Sequence, residues 1–469
     1  MAHPTELDAV YAFLVAAAVA ALLTPLTMRL ARAVGAVDEP RERGLSERPT
    51  PLLGGLAIFA GALVAGLIWL PEGYYKQHQL WYGVMLGAAV ITLVGAIDDR
   101  VDLHPGLKLL GQLLAAVLVV HFGVAVKAIT LPFVGKLDFP NAGVTNAGPV
   151  LTVIGLVAIM NIVNFSDGVD GLAAGVCMII AAAMAVVAFD LGREQPGVLA
   201  ALTAGAALGF LVHNFPPASS FMGDCGANLL GLLMGVITIE AAVKTAAVVS
   251  FVVPLILLAV PFLDTTFVVL KRLKYGQPIY RPDSEHFHHR MARIGFSNRR
   301  TIAYFYAWTL MLAGIALALR FVPYSDHHGH LRTGWTLVMI GLGLFGIAAS
   351  VYLVYVLEIL KFRRLDAVRL RRLRPDASAE EIDRDVAKDF ETGEFNAVSA
   401  GADPRREGSA PPPPGGERRG SPDPAAGAPG TASAGGAEQP VGQGQVDRDG
   451  VGAHQERGPA QAPVTADGG

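Results

Sequence analysis

The stretch Val150-Leu-Thr-Val-Ile-Gly-Leu-Val-Ala-Ile-Met160-Asn161-Ile-Val-Asn164-Phe-Ser-Asp167-Gly-Val-Asp170-Gly-Leu172 sets an apolar run directly against two carboxamides and two carboxylates. A second apolar run, Ala173 to Phe189, follows at once. Asn161, Asn164 and Asp167 fall at i, i+3 and i+6, so they line one face if a helix persists that far. Gly168 and Gly171 then let the backbone turn tightly and approach a ligand. A charged side chain in the middle of a membrane helix costs roughly 2.5–3.5 kcal/mol, so polar groups this close to hydrocarbon mark a functional site. A plain turn between two helices does not need four metal- or base-binding side chains.

Working outward, hydrophobic residues make up 52% of the chain and mean hydropathy is +0.44. That balance fits a multi-span membrane protein rather than a soluble one. The net charge of −3 is uninformative; the placement of the charges is not. About eleven apolar runs approach the length needed to cross a bilayer. They lie near 9–30, 52–70, 80–97, 106–124, 149–165, 171–190, 197–213, 227–243, 246–270, 301–320 and 335–359. The expected fold is an all-α polytopic membrane protein, with a small extracytoplasmic β-hairpin in the alternating, turn-rich gap 127–148. The start of the chain, Met1 to Asp8, lacks a basic segment, so the first run reads as a span and not a cleaved signal. Cys177 and Cys225 imply no disulfide framework.

Basic residues sort the loops. They cluster after the first, third, ninth and last runs, which places the N-terminus outside and the C-terminus in the cytoplasm of a multi-pass plasma-membrane protein. Asp98-Asp99, the Asn161–Leu172 stretch, Asp224 and His286–His289 then all fall on the cytoplasmic face, as parts of one site. Residues 1–360 form the membrane domain and 361–395 a basic juxtamembrane segment. Within the latter, Ser378-x-x-Glu381 reads as a capping box that opens a short helix. Residues 396–469, rich in Pro, Gly and Ala, cannot bury enough apolar surface to fold and read as a disordered cytoplasmic tail.

Asp98-Asp99-Arg100-Val101-Asp102 ends the third run. Neighbouring carboxylates repel unless a cation or proton lies between them. The pair is therefore a Mg²⁺–diphosphate site, a base, or a solvated helix end. Phe221-Met-Gly-Asp224-Cys-Gly226 sets one carboxylate between glycines, and beside Asn164 it makes a metal pair. His286-Phe-His288-His289-Arg290, in a long basic loop, suits a diphosphate or sugar; zinc is disfavoured because no cysteine lies nearby. Lys108 either neutralises a phosphate or simply marks the inner face. Asp264 is a site residue or a packing polar group, and nothing is assigned to His327, His328 and His330. No Walker-type loop is present, so ATP-driven work is not indicated, and no feature points to nucleic acid.

Together, Pro49-x-Pro51-x-x-Gly54-Gly55, Asp98-Asp99, Asn161-x-x-Asn164-x-x-Asp167-Gly-x-Asp170-Gly-Leu172, Gly223-Asp224-x-Gly226 and His286-x-His288-His289-Arg290 resemble the motifs of the polyprenyl-phosphate N-acetylhexosamine-1-phosphate transferases, glycosyltransferase family 4. The resemblance runs from about residue 10 to 360. It implies transfer of a sugar-1-phosphate from a UDP-sugar to a polyprenyl phosphate, with release of UMP and use of Mg²⁺, for which Mn²⁺ can substitute. His286-Phe287-His288-His289 is similar to the branch whose usual donor is UDP-GlcNAc. The branch that uses UDP-MurNAc-pentapeptide carries three contiguous histidines and is the nearest alternative. By the same resemblance, Asn164 and Asp224 hold the metal. Asp98 is the base or positioner of the acceptor, with Asp99 beside it. Asp167 lies near nucleoside or metal, Asp170 reads the uracil edge, and His286, His288, His289 and Arg290 hold the diphosphate and sugar; Lys108 joins the substrate-binding set on its charge and position alone. A homodimer is expected on the resemblance alone. One position departs from the family, which often has Ser where Ala227 stands here, followed by Asn228.

Two other classes compete. An ion-coupled transporter also carries intramembrane carboxylates, but near the midplane between repeats, and no repeat is visible here. An intramembrane prenyltransferase would share Asp98-Asp99-x-x-Asp102, yet the second Asp-rich motif such enzymes need is missing.

Overall fold

The computed structural model describes residues 4–39, 49–70, 75–131, 135–139, 147–243, 297–323 and 332–355, with isolated positions at 256, 258, 259, 263, 378, 381 and 384. Ten α-helices run through the described residues: α1 (Glu6–Val34), α2 (Gly54–Trp69), α3 (Tyr75–Val101), α4 (Pro105–His121), α5 (Ala147–Ser166), α6 (Leu172–Asp190), α7 (Glu194–Asn214), α8 (Gly223–Ile237), α9 (Asn298–Phe321) and α10 (Thr333–Tyr355). A π-helical turn, Thr238–Val243, prolongs α8 and carries the buried Glu240. Eight helical stretches are long and apolar enough to cross a membrane, and α2 and α4 are shorter apolar helices. Each described helix coincides with one of the expected runs. The remaining run, 246–270, lies outside the described residues except at isolated positions. The chain is thus an all-α polytopic membrane protein.

The helix ends follow local chemistry. α1 opens on a capping box in which Thr5 and Asp8 bond reciprocally, and it closes on Gly35 at φ 76°. α4 starts with Pro105, whose missing N–H is no loss in a first turn, and the His104 ring accepts from the Gly106 N–H at 3.2 Å. The expected hairpin forms as β3 (Ala128–Leu131) paired antiparallel with β4 (Gly135–Asp138). A second pair was not anticipated: β1 (Val37–Asp38) lies antiparallel to β2 (Thr50–Pro51). The Ser378–Glu381 capping box is present, with the Glu381 N–H donating to Ser378 Oγ at 3.3 Å. Otherwise the segment 361–395 and the tail 396–469 lie outside the described residues.

Packing relies on small side chains, as expected where lipid removes the hydrophobic drive between helices. Ala9, Ala12, Ala16 and Ala20 of α1 are buried, and α1 rests chiefly on α7 and α2. A Cβ at Gly205 or Gly209 of α7 would overlap the main chain of Phe13 or Ala17. The outer faces are apolar and open, with Leu22 77% exposed, as a lipid-facing surface requires. Pro25 interrupts α1 and leaves the Ala21 carbonyl without its i+4 donor. The His213 Nε2 of α7 lies 3.0 Å from that carbonyl and supplies the missing donor.

This repair is testable. His213→Leu should lower stability by about 1–3 kcal/mol through an unpaired carbonyl. In a Pro25→Ala background, which restores the backbone donor, the same substitution should cost clearly less. Thermal unfolding of the four proteins in detergent measures the coupling.

Candidate active site

The site is built around the first turn of α8. Gly223 stands at φ 67°, a conformation that L side chains rarely adopt, and it lies against the Asp99 carboxylate. Asp99, near the end of α3, accepts the Asp224 N–H on Oδ1 at 2.7 Å and the Cys225 N–H on Oδ2 at 3.2 Å. These are first-turn donors of α8 with no partner inside the helix, and a carboxylate there also complements the helix dipole. The Pro51–Gly55 segment laces the other side of this turn. Phe221 N–H donates to the Pro51 carbonyl at 2.9 Å, while Gly54 and Gly55 N–H donate to the Phe221 and Met222 carbonyls at 3.0 Å each. A Cβ on Gly55 would overlap the Gly226 main chain. The Pro/Gly motif therefore holds in place the turn that presents Asp224.

Four polar groups meet in front of that turn. The Lys108 ammonium contacts Asp224 Oδ2, lies 3.2 Å from Asp98 Oδ2, and donates to Asn164 Oδ1 at 3.4 Å. The Asn164 amide nitrogen in turn donates to Asp224 Oδ1. Asp98 is buried and is committed on its other oxygen to the Leu103 N–H at 2.8 Å. Behind this group runs a chain of amides. Asn161 Nδ2 donates to Gln112 Oε1 at 2.8 Å, Gln112 Nε2 to Asn228 Oδ1 at 2.7 Å, and Asn228 Nδ2 to the Asp224 carbonyl at 2.8 Å. Ala227 is fully buried in the apolar core. The neighbouring Asn228, rather than a hydroxyl at 227, is the polar support on this helix.

The opposite wall is the loop between α5 and α6. α5 stops at Ser166, and the Asp167 N–H caps the Asn164 carbonyl at 3.2 Å, so Asp167 is the first residue beyond the helical face that carries Asn161 and Asn164. Burial, then the charges of Asp224, Asp99 and Asp170, push the Asp167 carboxyl up to about 8. Burial also raises Asp170, against the lowering effect of the Ala218 N–H, which it accepts at 3.0 Å. Gly171 is gripped on both sides: its N–H donates to Asn214 Oδ1 at 2.8 Å, and its carbonyl accepts from Tyr306 OH at 2.5 Å. Arg299 Nε of α9 donates to the Pro216 carbonyl at 3.0 Å, which ties α9 to the same end of the bundle.

Between the walls lies a cavity of about 370 Å³. Its lining includes Asp38, Glu39, Asp99, Asp167, Asp170 and Asp224, with Asn164 and Asn214, and no basic side chain among the described residues. Asp99, Asn164, Asp167, Asp170 and Asp224 are thus brought together as expected, with Lys108 bonded to two of them. Asp98 sits behind the cavity wall. His286, His288, His289 and Arg290 lie outside the described residues, as do Asp264 and His327, His328 and His330. The sequence reading did not single out Asp38, the last residue of β1, and Glu39 just after it, which both line the cavity, nor Gln112, Asn214 and Tyr306. Gln112 was findable as a lone carboxamide inside an apolar run; the others depend on chain crossings that no local pattern records.

Gln112→Leu should leave Asn161 and Asn228 each short of a partner and lower stability by about 1–3 kcal/mol, read as a fall in thermal midpoint. Asp99→Ala should speed hydrogen exchange at the Asp224 and Cys225 amides with little change in the core of α7.

The chain is similar to known proteins over most of the membrane-spanning region. The profile of glycosyl transferase family 4 matches residues 81–242. A probable undecaprenyl-phosphate N-acetylglucosaminyl 1-phosphate transferase of Bacillus subtilis is 35% identical over 317 residues, covering 66% of this chain and 85% of that protein. A decaprenyl-phosphate N-acetylglucosaminephosphotransferase of Mycobacterium leprae is 35% identical over 337 residues, 66% of this chain and 83% of its own length. The undecaprenyl-phosphate alpha-N-acetylglucosaminyl 1-phosphate transferase of Escherichia coli is more distant, 26% identical over 323 residues, with 68% and 83% covered. With a motif set that runs through the membrane domain and relatives aligned over most of their length, the chain belongs to glycosyl transferase family 4, among the polyprenyl-phosphate N-acetylglucosamine-1-phosphate transferases.

Proposed function

We propose that this protein transfers N-acetylglucosamine-1-phosphate from UDP-GlcNAc to a polyprenyl phosphate, undecaprenyl or decaprenyl, and releases UMP as the first membrane step of a cell-envelope polysaccharide. The observation that carries the reading is the meeting of Asn164, Asp224 and Lys108 at the edge of an acidic cavity, in a chain whose relatives bear names stating that sugar phosphate and that acceptor. The basic loops after the first, third, ninth and last runs support a cytoplasmic-facing site in the plasma membrane.

The acidic lining of the cavity would repel two anionic substrates, so the reaction needs added positive charge. Asp224 Oδ2 and Asn164 Oδ1 are hard oxygens already turned toward one cation, the Lys108 ammonium. Among the described residues, no three His, Cys, Asp or Glu side chains form a ready-made metal cage. This suits Mg²⁺ or Mn²⁺ held by one or two protein oxygens with substrate phosphates and water completing the shell, rather than an all-protein site. When bound there, the ion supplies charge to the donor diphosphate and to the departing UMP oxygen.

The chain's own residues do the positioning. An oxygen of the acceptor phosphate attacks the phosphorus next to the sugar, a new P–O bond forms, and the bond to the bridging oxygen breaks so that this oxygen leaves with UMP. A phosphate monoester is largely ionised near pH 7, with a second pKa of about 6, so this step needs alignment more than a base. Asp98 orients Lys108, whose ammonium offsets phosphate charge. Asp99 keeps Asp224 in register through the α8 backbone. Asp170 and Asp167 face the nucleoside half, and the His286–Arg290 motif completes the anion contacts.

The test is transfer of label from UDP-GlcNAc to polyprenyl phosphate by purified protein, with and without Mg²⁺. Labelled lipid should form only with the ion, and Asp224→Ala should reduce the rate at least about 100-fold, at the upper end of what altered metal environments cost. Product from UDP-MurNAc-pentapeptide but not from UDP-GlcNAc would move the protein to the other branch. No product from either donor would overturn the transferase reading.

A further inference from the structure

The Lys108 ammonium does not point into open cavity. It is surrounded by three oxygens from three different helices: Asp98 Oδ2 of α3, Asn164 Oδ1 of α5 and Asp224 Oδ2 of α8. The last two are the pair assigned above to the divalent ion, and they face the nitrogen with the atoms a metal would use. The Asn164 amide is oriented for this, because its nitrogen is spent on Asp224 Oδ1 and only its oxygen is left for a cation. One position therefore has two claimants, and an ammonium and a divalent ion in direct contact with the same oxygens repel one another. Lys108 can leave: it stands in the first turn of α4 on a flexible four-carbon stem, with its side chain 22% exposed.

Resting on the metal assignment made above, we propose that Lys108 is an exchangeable counter-ion: it occupies the divalent-cation position between Asn164 and Asp224 while that position lacks metal, and swings onto the donor phosphates when metal and nucleotide bind. The lysine then has two sequential tasks. Before substrate arrives it keeps Asp98 and Asp224 from facing each other uncompensated. Afterwards it contributes its charge to the diphosphate, still oriented by Asp98. A consequence is that the free protein binds metal less tightly than its oxygens allow, because the ion must displace a cation already present, and that nucleotide tightens metal binding by giving the lysine a new anionic partner.

The test uses the full chain in detergent and Mn²⁺ as probe, with free ion read by electron paramagnetic resonance. Without nucleotide, Lys108→Met should bind Mn²⁺ at least about tenfold more tightly than the parent protein, and Asp224→Asn should remove the binding in both backgrounds. With Mn²⁺ saturating, Lys108→Met should bind UDP more weakly than the parent. This opposite response of the two ligands would not follow from a merely structural lysine, whose loss weakens both. Independently, acetylation of Lys108 in the unaltered protein, followed by mass spectrometry against other lysines, should rise several-fold on adding Mn²⁺. Equal or weaker Mn²⁺ binding by Lys108→Met, with acetylation unchanged by the ion, would overturn the exchange while leaving the metal site standing. Absence of saturable Mn²⁺ binding in the parent and in Lys108→Met alike would overturn the metal assignment and this inference with it. If Lys108→Met does not fold, the acetylation of the unaltered protein decides alone.

Discussion

Two hydrogen bonds from the start of α8 to the carboxylate of Asp99 are the constraint on which the rest of the site depends. They fix where a helix buried along nearly its whole length begins. A helix start inside protein leaves amide donors that must be paired or penalised, and here a neighbouring helix supplies the acceptor. Once that turn is fixed, Asp224 faces Asn164 and Lys108, the Pro51–Gly55 segment can lie flat against the turn, and Asn228 points back into the amide chain. Asp99 is thus engaged in structure on one side while it lines the cavity on the other. Its neighbour Asp98, rotated about 100° around the same helix, lies behind the wall and acts on the lysine instead.

The membrane architecture was readable because span length and side-chain hydropathy are properties of the local chain. Ten described helices fall where apolar runs of the right length stand, and the Asn161–Leu172 stretch is the break between two of them. The convergence of Asp99, Asn164, Asp170 and Asp224 was readable for a second reason: polar groups at span ends on one face have few places to go. What stayed hidden needed knowledge of crossings. The sequence reading puts Asp98 forward as base or positioner with Asp99 beside it, whereas the docking of α8 makes Asp99 the cavity-lining carboxylate and sets Asp98 behind the wall. Asp38 and Glu39 reach the cavity because a two-residue strand pairs with Thr50–Pro51, too short a pattern for alternation to reveal. His213 and Pro25 solve one hydrogen-bonding problem across 188 residues of chain, and nothing near either residue announces the other.

The interior of the bundle also explains how so polar a site is tolerated. Close helix contact through alanine and glycine brings backbones near enough for side chains such as Gln112, Asn161 and Asn228 to span the remaining gaps in single steps. Gln112 and Asn228 each both donate and accept, and Asn161 donates to Gln112 and to the Val157 carbonyl, so the chain satisfies its buried amides largely from within the bundle. Loose packing at this level would separate the partners by more than a hydrogen bond and leave each with the full cost of its burial.

The double grip on Gly171 has a consequence for redesign. With its N–H held by Asn214 and its carbonyl by Tyr306, the 167–171 loop keeps its course through backbone atoms, which exchange of neighbouring side chains leaves in place. Chemistry at position 167 can therefore be varied on a fixed frame, and at position 170 with side chains that still accept the Ala218 N–H. A library confined to those two positions, with Asn214 and Tyr306 retained, would vary the chemistry of the cavity wall without first having to rebuild the loop.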